Sequence, residues 1–175
     1  MEVSSPYLLR SGTSGRTIVL TLDLGLFRPF PELVRWKKVE LYKKDEFHIT
    51  LLHIKNASEL AQLPPVDFEN EVARNFETFT RLKPIQLLSL RNDFRFAEEG
   101  ERKAIVLRCE LKNLSDFFKE FNRQFRISLP TQPAHVTLYT LQRNVGIHIP
   151  SEEVMEDLPK VSLPILDEAL RGVHI

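Results

Sequence analysis

The stretch EFHITLLHI, residues 46–54, is rich in β-branched and apolar side chains yet carries His48 and Thr50 two positions apart. A second stretch, PAHVTLYTL at residues 133–141, repeats the order H-x-T-L. Both read as strands bounded by polar or proline-containing segments. Side chains alternate along a strand, so His48, Thr50 and Leu52 are expected on one face, with Phe47, Ile49 and Leu51 on the other. In the second stretch His135, Thr137 and Tyr139 fall together, opposite Val136, Leu138 and Thr140. Each strand therefore offers a His and a Thr side by side on a polar face. The same alternation puts His53 opposite His48, which argues against two imidazoles of one strand converging on a metal. His53, His148 and His174 read as structural or surface histidines.

Outward from these strands, the run RTIVLTLDLG (16–25) reads as a strand ended by Gly25, and Pro29 and Pro31 suit the first turn of a helix. Residues 32–44 fit either a helix or a short strand. Ser58 is placed to cap a short helix, and Pro64 and Pro65 break the chain before a longer one over residues 67–82, with Phe68, Val72, Phe76 and Phe79 at helical spacing. Two strands, PIQLLSL (84–90) and KAIVLRCEL (103–111), are separated by the polar stretch RNDFRFAEEGER (91–102), read as a long hairpin loop. The next helix has Ser115 as its cap and Leu114, Phe117, Phe118, Phe121 and Phe125 on one stripe. In the tail, KVSLPIL (160–166) reads as a strand that Pro164 restricts to an edge. Residues 1–15, rich in Ser and Gly, read as a loose arm, leaving residues 16–175 as one domain. Strand, helix and H-x-T strand are thus followed by hairpin, helix and H-x-T strand. The expectation is an α+β fold made of two lobes related by a pseudo-two-fold duplication, with antiparallel sheets lining a central groove and helices outside.

A length of 175 residues, 42% hydrophobic and 27% charged, suits a single globular domain. Lys plus Arg equals Asp plus Glu at 24 each, so no global field draws in a long nucleic acid or a membrane surface. Lys43 and Lys44, like Arg102 and Lys103, read as solvated turn residues, with neutralisation of an RNA phosphate beside the groove as the functional alternative. The single Cys109 excludes an internal disulfide and a Cys-rich zinc site. No apolar run has the length of a membrane span, and residues 1–12 lack the apolar segment of a signal peptide, so a cytoplasmic location is expected.

Two imidazoles facing each other across a groove suit paired proton transfer, because histidine titrates near neutrality. Threonine hydroxyls have few rotamers and can donate hydrogen bonds to the non-bridging oxygens of a phosphate diester. The scheme needs neither metal nor cofactor and predicts a bell-shaped pH dependence.

These residues resemble the paired H-x-T motifs of the two-histidine (2H) phosphoesterase superfamily. The separation, 135 minus 48 or 87 residues, and the element order are similar to its 2'-5' RNA ligase-like and cyclic phosphodiesterase branch over roughly residues 16–166. The resemblance implies a bilobal α+β fold and metal-independent opening of 2',3'-cyclic phosphates on RNA ends or small nucleotides. It implies His48 and His135 as the acid/base pair and Thr50 and Thr137 as phosphate donors. Tyr139, on the expected groove face, is a candidate to stack on a base or bond phosphate, and Phe94 or Phe96 resembles the family's base-stacking position. The chain departs from the pattern at His53, where an apolar aromatic is common, and at Tyr139 and Thr140, where an arginine often stands. The expected partner is an RNA end or cyclic nucleotide, with no membrane and no obligatory protein partner, on a monomer. Two other readings share the groove: an RNA- or nucleotide-binding module without turnover, and a ligase that joins RNA ends through a 2'-5' linkage.

Overall fold

The computed structural model describes residues 6–12, 15–62, 65–143 and 145–175. The chain opens with β1 (Tyr7–Gly12) and β2 (Gly15–Thr21), followed by a 3-10 turn at Leu24–Phe27 and by β3 (Leu33–Trp36), β4 (Val39–Lys43) and β5 (His48–His53). Then come α1 (Ile54–Ala61), α2 (Pro65–Leu82), β6 (Gln86–Glu99), β7 (Arg102–Lys112), α3 (Leu114–Phe125), β8 (His135–Thr140), α4 (Glu152–Asp157) and α5 (Pro164–Arg171). The eight strands form one α+β sheet in which every pairing is antiparallel.

Along this sheet β1, β2 and β5 are consecutive, and β5 meets β8 at the pair Ile49 and Val136. β8 continues on its other edge into β7 and then β6. The β3–β4 hairpin joins further along β8, through Tyr42 opposite Thr140 and Lys43 opposite Tyr139. The two H-x-T strands are therefore immediate neighbours at the middle of the sheet.

Most of the apolar surface lies on one face. Ile18, Leu20, Ile49, Leu51, Leu52, Ile105, Leu107, Val136 and Leu138 belong to one core with Phe68, Val72 and Phe76 of α2, Phe117 and Phe121 of α3, and Leu166 of α5. The Phe stripe expected on α3 packs edge-on against α2, with Phe117 5.2 Å from Phe76 and 5.4 Å from Phe79 between ring centres. On the opposite face a smaller cluster of Val106, Ile149 and Met155 seats α4.

Several local expectations are corrected. Residues 7–12 are not a loose arm: β1 pairs with β2 over its whole length, and the Tyr7 hydroxyl donates to the Ile85 carbonyl at 2.9 Å. Residues 1–5, the rest of that expected arm's start, lie outside the described residues. Of the two readings of residues 32–44 the short strand holds, as β4, and the helix does not: β3 and β4 form a hairpin whose turn residues Lys37 and Lys38 both have positive φ, at 45° and 69°. Lysine is an uncommon occupant of such a turn, which Asn and Gly usually fill, so its sequence gave no turn signal. The loop expected over 91–102 is largely strand, and Pro164 begins α5, where the N–H that proline lacks has no intrahelical acceptor, instead of lying in an edge strand. Asn113, with φ of 64°, precedes α3 in place of Ser115, and Ser58 lies inside α1 with its hydroxyl on the Lys55 carbonyl.

Candidate functional site

Both motif strands depart from strict alternation at the same place. Ile18 pairs with Leu52 but Val19 with Thr50, so Leu51 is an extra residue in β5. Val106 pairs with Thr137 but Ile105 with Tyr139, so Leu138 is the extra residue in β8. A bulge puts two successive residues on nearly one side and reverses the alternation beyond it. Each H-x-T is thus followed directly by a bulged leucine.

The bulges decide which predicted residues reach the site. Before them the alternation holds: His48 and Thr50 share one face of β5, and His135 and Thr137 the same face of β8. Continuing the antiparallel register from Ile49 and Val136 sets His48 beside Thr137 and Thr50 beside His135. The two imidazoles are then diagonal neighbours, ~7–8 Å apart at the backbone. Beyond the bulges, the expected faces invert. Tyr139 turns into the core, fully buried, with its hydroxyl on the Pro31 carbonyl at 2.9 Å. Leu52 likewise joins the core, and His53 swings onto the motif face. Phe94 at 2% and Phe96 at 8% exposure also lie in the core, Phe94 with its ring centre 6.4 Å from that of Phe30. The three aromatics expected to contact substrate are therefore packing residues.

The two histidines have opposite partners. His135, 7% exposed, has Nδ1 2.7 Å from the Pro133 carbonyl. A carbonyl only accepts, so Nδ1 carries the proton and Nε2 keeps a lone pair. His48 has Nδ1 3.3 Å from Nη1 of Arg10. A guanidinium only donates, so here Nδ1 accepts and the proton of the neutral ring lies on Nε2. Arg10 itself is held by Glu46 through a two-pronged ion pair at 2.5 and 2.7 Å, and that guanidinium pulls the Glu46 carboxyl down to about 2.

Both imidazoles are kept neutral. Burial pushes His48 down to about 4, helped by the positive charges of Lys44 and Arg10 and opposed by Glu46. Burial pushes His135 to about 4 as well, opposed by the Pro133 carbonyl. A second pair adjoins them: His53 and His148 have ring centres 3.9 Å apart, and burial with the like charge of His148 brings His53 to about 4.

Cations around the site differ in how they are compensated. Arg108, directly across from His135 on β7, is tied to Asp93, Glu152 and Glu156. Arg95 on β6, 3% exposed in its side chain, grips Asp93 at 2.6 Å, Glu156 at 3.0 Å and the carbonyls of Glu156 and Leu158. These two arginines clasp α4 to the sheet. Lys44 has no such partner among the described residues. Sequence reasoning missed Arg10, because a Ser- and Gly-rich segment does not read as a strand. The solvated-turn reading of Lys44 is also corrected, since the residue is only 6% exposed.

An open cleft of about 920 Å³ lies elsewhere, between α2 and α3, lined by residues such as Arg74, Asn75, Lys119 and Arg123. Its charges are exposed and partly paired, as Arg123 with Glu120, and the shifts of that pair come chiefly from each other rather than from burial. Buried histidines of lowered pKa are grouped at the H-x-T strands instead. Among the described residues, no three His, Cys, Asp or Glu side chains are grouped to hold a metal ion, and no helix is long and apolar enough to cross a membrane. No protein-family model matches the chain, and neither a curated protein nor a solved structure is found to be similar to it.

Proposed function

We propose that the chain is a two-histidine phosphoesterase of the 2'-5' RNA ligase-like and cyclic phosphodiesterase branch, a cytoplasmic enzyme that hydrolyses 2',3'-cyclic phosphates of RNA ends or small nucleotides without a metal. The observation that carries this reading is the placement of His48, Thr50, His135 and Thr137 on one face of two adjacent strands, with the two rings in opposite tautomers. The equivalent bulges at Leu51 and Leu138 support descent of the two halves from one duplicated unit related by a pseudo-two-fold.

The tautomers divide the labour. His135 is the base: its free Nε2 takes a proton from water as the water oxygen bonds to phosphorus, and the Pro133 carbonyl steadies the imidazolium that results. His48 is the acid: in its imidazolium form it delivers the Nε2 proton to the ribose oxygen as that P–O bond breaks, returning to the neutral ring and leaving a phosphomonoester. Thr50 and Thr137 donate hydrogen bonds to the non-bridging oxygens, where charge accumulates. The negative diester between the rings offsets the cations that hold His48 neutral, so binding favours its charged form. Because both rings titrate at about 4 in the free protein, kcat/KM follows a bell centred on the acid side of neutrality. The kcat profile, which reports the substrate complex, extends to higher pH.

The test is hydrolysis of 2',3'-cyclic nucleotides, and of a short RNA ending in a 2',3'-cyclic phosphate, in EDTA. A phosphomonoester product supports the reading. Joined RNA fragments would make the chain a ligase, and tight binding by folded protein without turnover would make it a binding module.

A further inference from the structure

Lys44 follows the last residue of β4, and its backbone N–H donates to the Leu138 carbonyl at 2.9 Å, beside the bulge of β8. Its neighbour Lys43 turns the other way, with Nζ on the Phe30 carbonyl at 2.9 Å and paired with Glu32. Alternation therefore sends the Lys44 side chain to the face that bears the H-x-T residues. There its charge acts on His48, as that ring's lowered proton affinity records.

The residue is 6% exposed and, among the described residues, its ammonium has neither a hydrogen-bond acceptor nor an ion-pair partner. Glu46, the acid nearest in effect, is already bound by both Nη atoms of Arg10. Burial disfavours the Lys44 charge, and its ammonium, which is not among the fully buried partnerless polar atoms Trp36 Nε1 and Thr140 Oγ1 of the described residues, stays open to a ligand or a counter-ion. Arg95 and Arg108 show the usual solution in this same sheet, each with two or more carboxylates. Lys44 is the exception, and its charge acts on the histidine pair through His48.

We propose that Lys44 is the substrate-binding cation of this site, pairing with a non-bridging oxygen of a phosphate group seated between His48 and His135. The inference rests on the phosphoesterase reading for the identity of the substrate, and on the largely buried Lys44, whose ammonium has no hydrogen-bond or ion-pair partner among the described residues, for the anion. Its role is binding: the positive charge meets the phosphate oxygen in the ground state and through the reaction, so its loss raises KM more than it lowers kcat.

Inorganic phosphate, followed by heteronuclear NMR, is the probe, with wild type, Lys44→Met and Lys44→Arg compared. The expected result is saturable binding near the H-x-T strands, weakened about tenfold or more by Lys44→Met and largely retained by Lys44→Arg. Thermal melting separates this from a structural role: Lys44→Met should melt at or above the wild-type temperature, because it removes an unpaired buried charge. Unchanged phosphate affinity in Lys44→Met, no phosphate binding by wild type, or a large fall in melting temperature with unaltered affinity would overturn the proposal. Where phosphate binding depends on Lys44 but wild type hydrolyses no cyclic phosphate, the anion site stands and the phosphoesterase reading fails. Where hydrolysis proceeds with the same KM in Lys44→Met, the reverse holds.

Discussion

The two motif strands β5 and β8 carry the same H-x-T-L order, the same bulged leucine and the same three core positions, Ile49, Leu51 and Leu52 against Val136, Leu138 and Tyr139. They differ in what stands behind each histidine. A main-chain carbonyl backs His135, and a guanidinium backs His48. An acceptor fixes the proton on the near nitrogen and a donor fixes it on the far one, so like residues at like positions hold their proton on opposite nitrogens, and the proposed division into base and acid rests on that difference. A motif names the chemistry available, and in the proposed mechanism the neighbour at Nδ1 assigns the role.

The comparison breaks most visibly at the imidazoles. His135→Gln and His48→Gln should each lower kcat on a 2',3'-cyclic nucleotide by about 10²–10⁴-fold while far-ultraviolet circular dichroism stays unchanged. Thr137→Val and Thr50→Val keep the shape and remove one donor each, and should cost about 10²–10³-fold in kcat, read under saturating substrate. Arg10→Met tests the asymmetry itself. It should raise the His48 pKa, followed by NMR titration, and leave that of His135 near about 4, because Arg10 acts on the first ring alone.

Smaller effects come from stability. The rings of His48, His53 and His135 titrate at about 4 when folded, against about 6.5 in an unfolded chain. Between those values the unfolded chain binds protons that the folded one does not. Stability is therefore greatest above pH 6.5 and falls as the pH drops toward 4. Melting temperatures at pH 7.5 and 4.5 should differ by several degrees, and His53→Gln should narrow the gap. At the bulge of β8, Tyr139→Phe should leave KM and kcat within about twofold and cost about 1 kcal/mol by denaturant unfolding, the worth of its bond to Pro31. A large KM effect would return Tyr139 to the groove.

Much of this arrangement was legible before any coordinates. The Phe stripe of α3, the helical spacing of α2 and the paired H-x-T strands depend on periodicity and short-range chemistry, and those are written locally. Residues 7–12 were not legible, since their strand identity comes from pairing with β2, a tertiary cause that Ser and Gly do not advertise. The inverted faces of Tyr139 and His53 were hidden for another reason. A bulge of one leucine changes no composition and no spacing, yet it reverses every face beyond it. The faces of Phe94 and Phe96 were not legible because a polar stretch suggests a loop, whereas its Arg95 is buried by pairing with Asp93 and with Glu156 of α4.

The most direct measurement is a double-mutant cycle on hydrolysis of a 2',3'-cyclic nucleotide in EDTA, with His48→Gln, His135→Gln and the double variant. If the two rings act as one acid/base unit, wild type turns over, each single variant loses most of the rate, and the double variant is hardly worse than either. Additive losses, or a wild-type rate that survives either substitution, would contradict a paired-histidine mechanism.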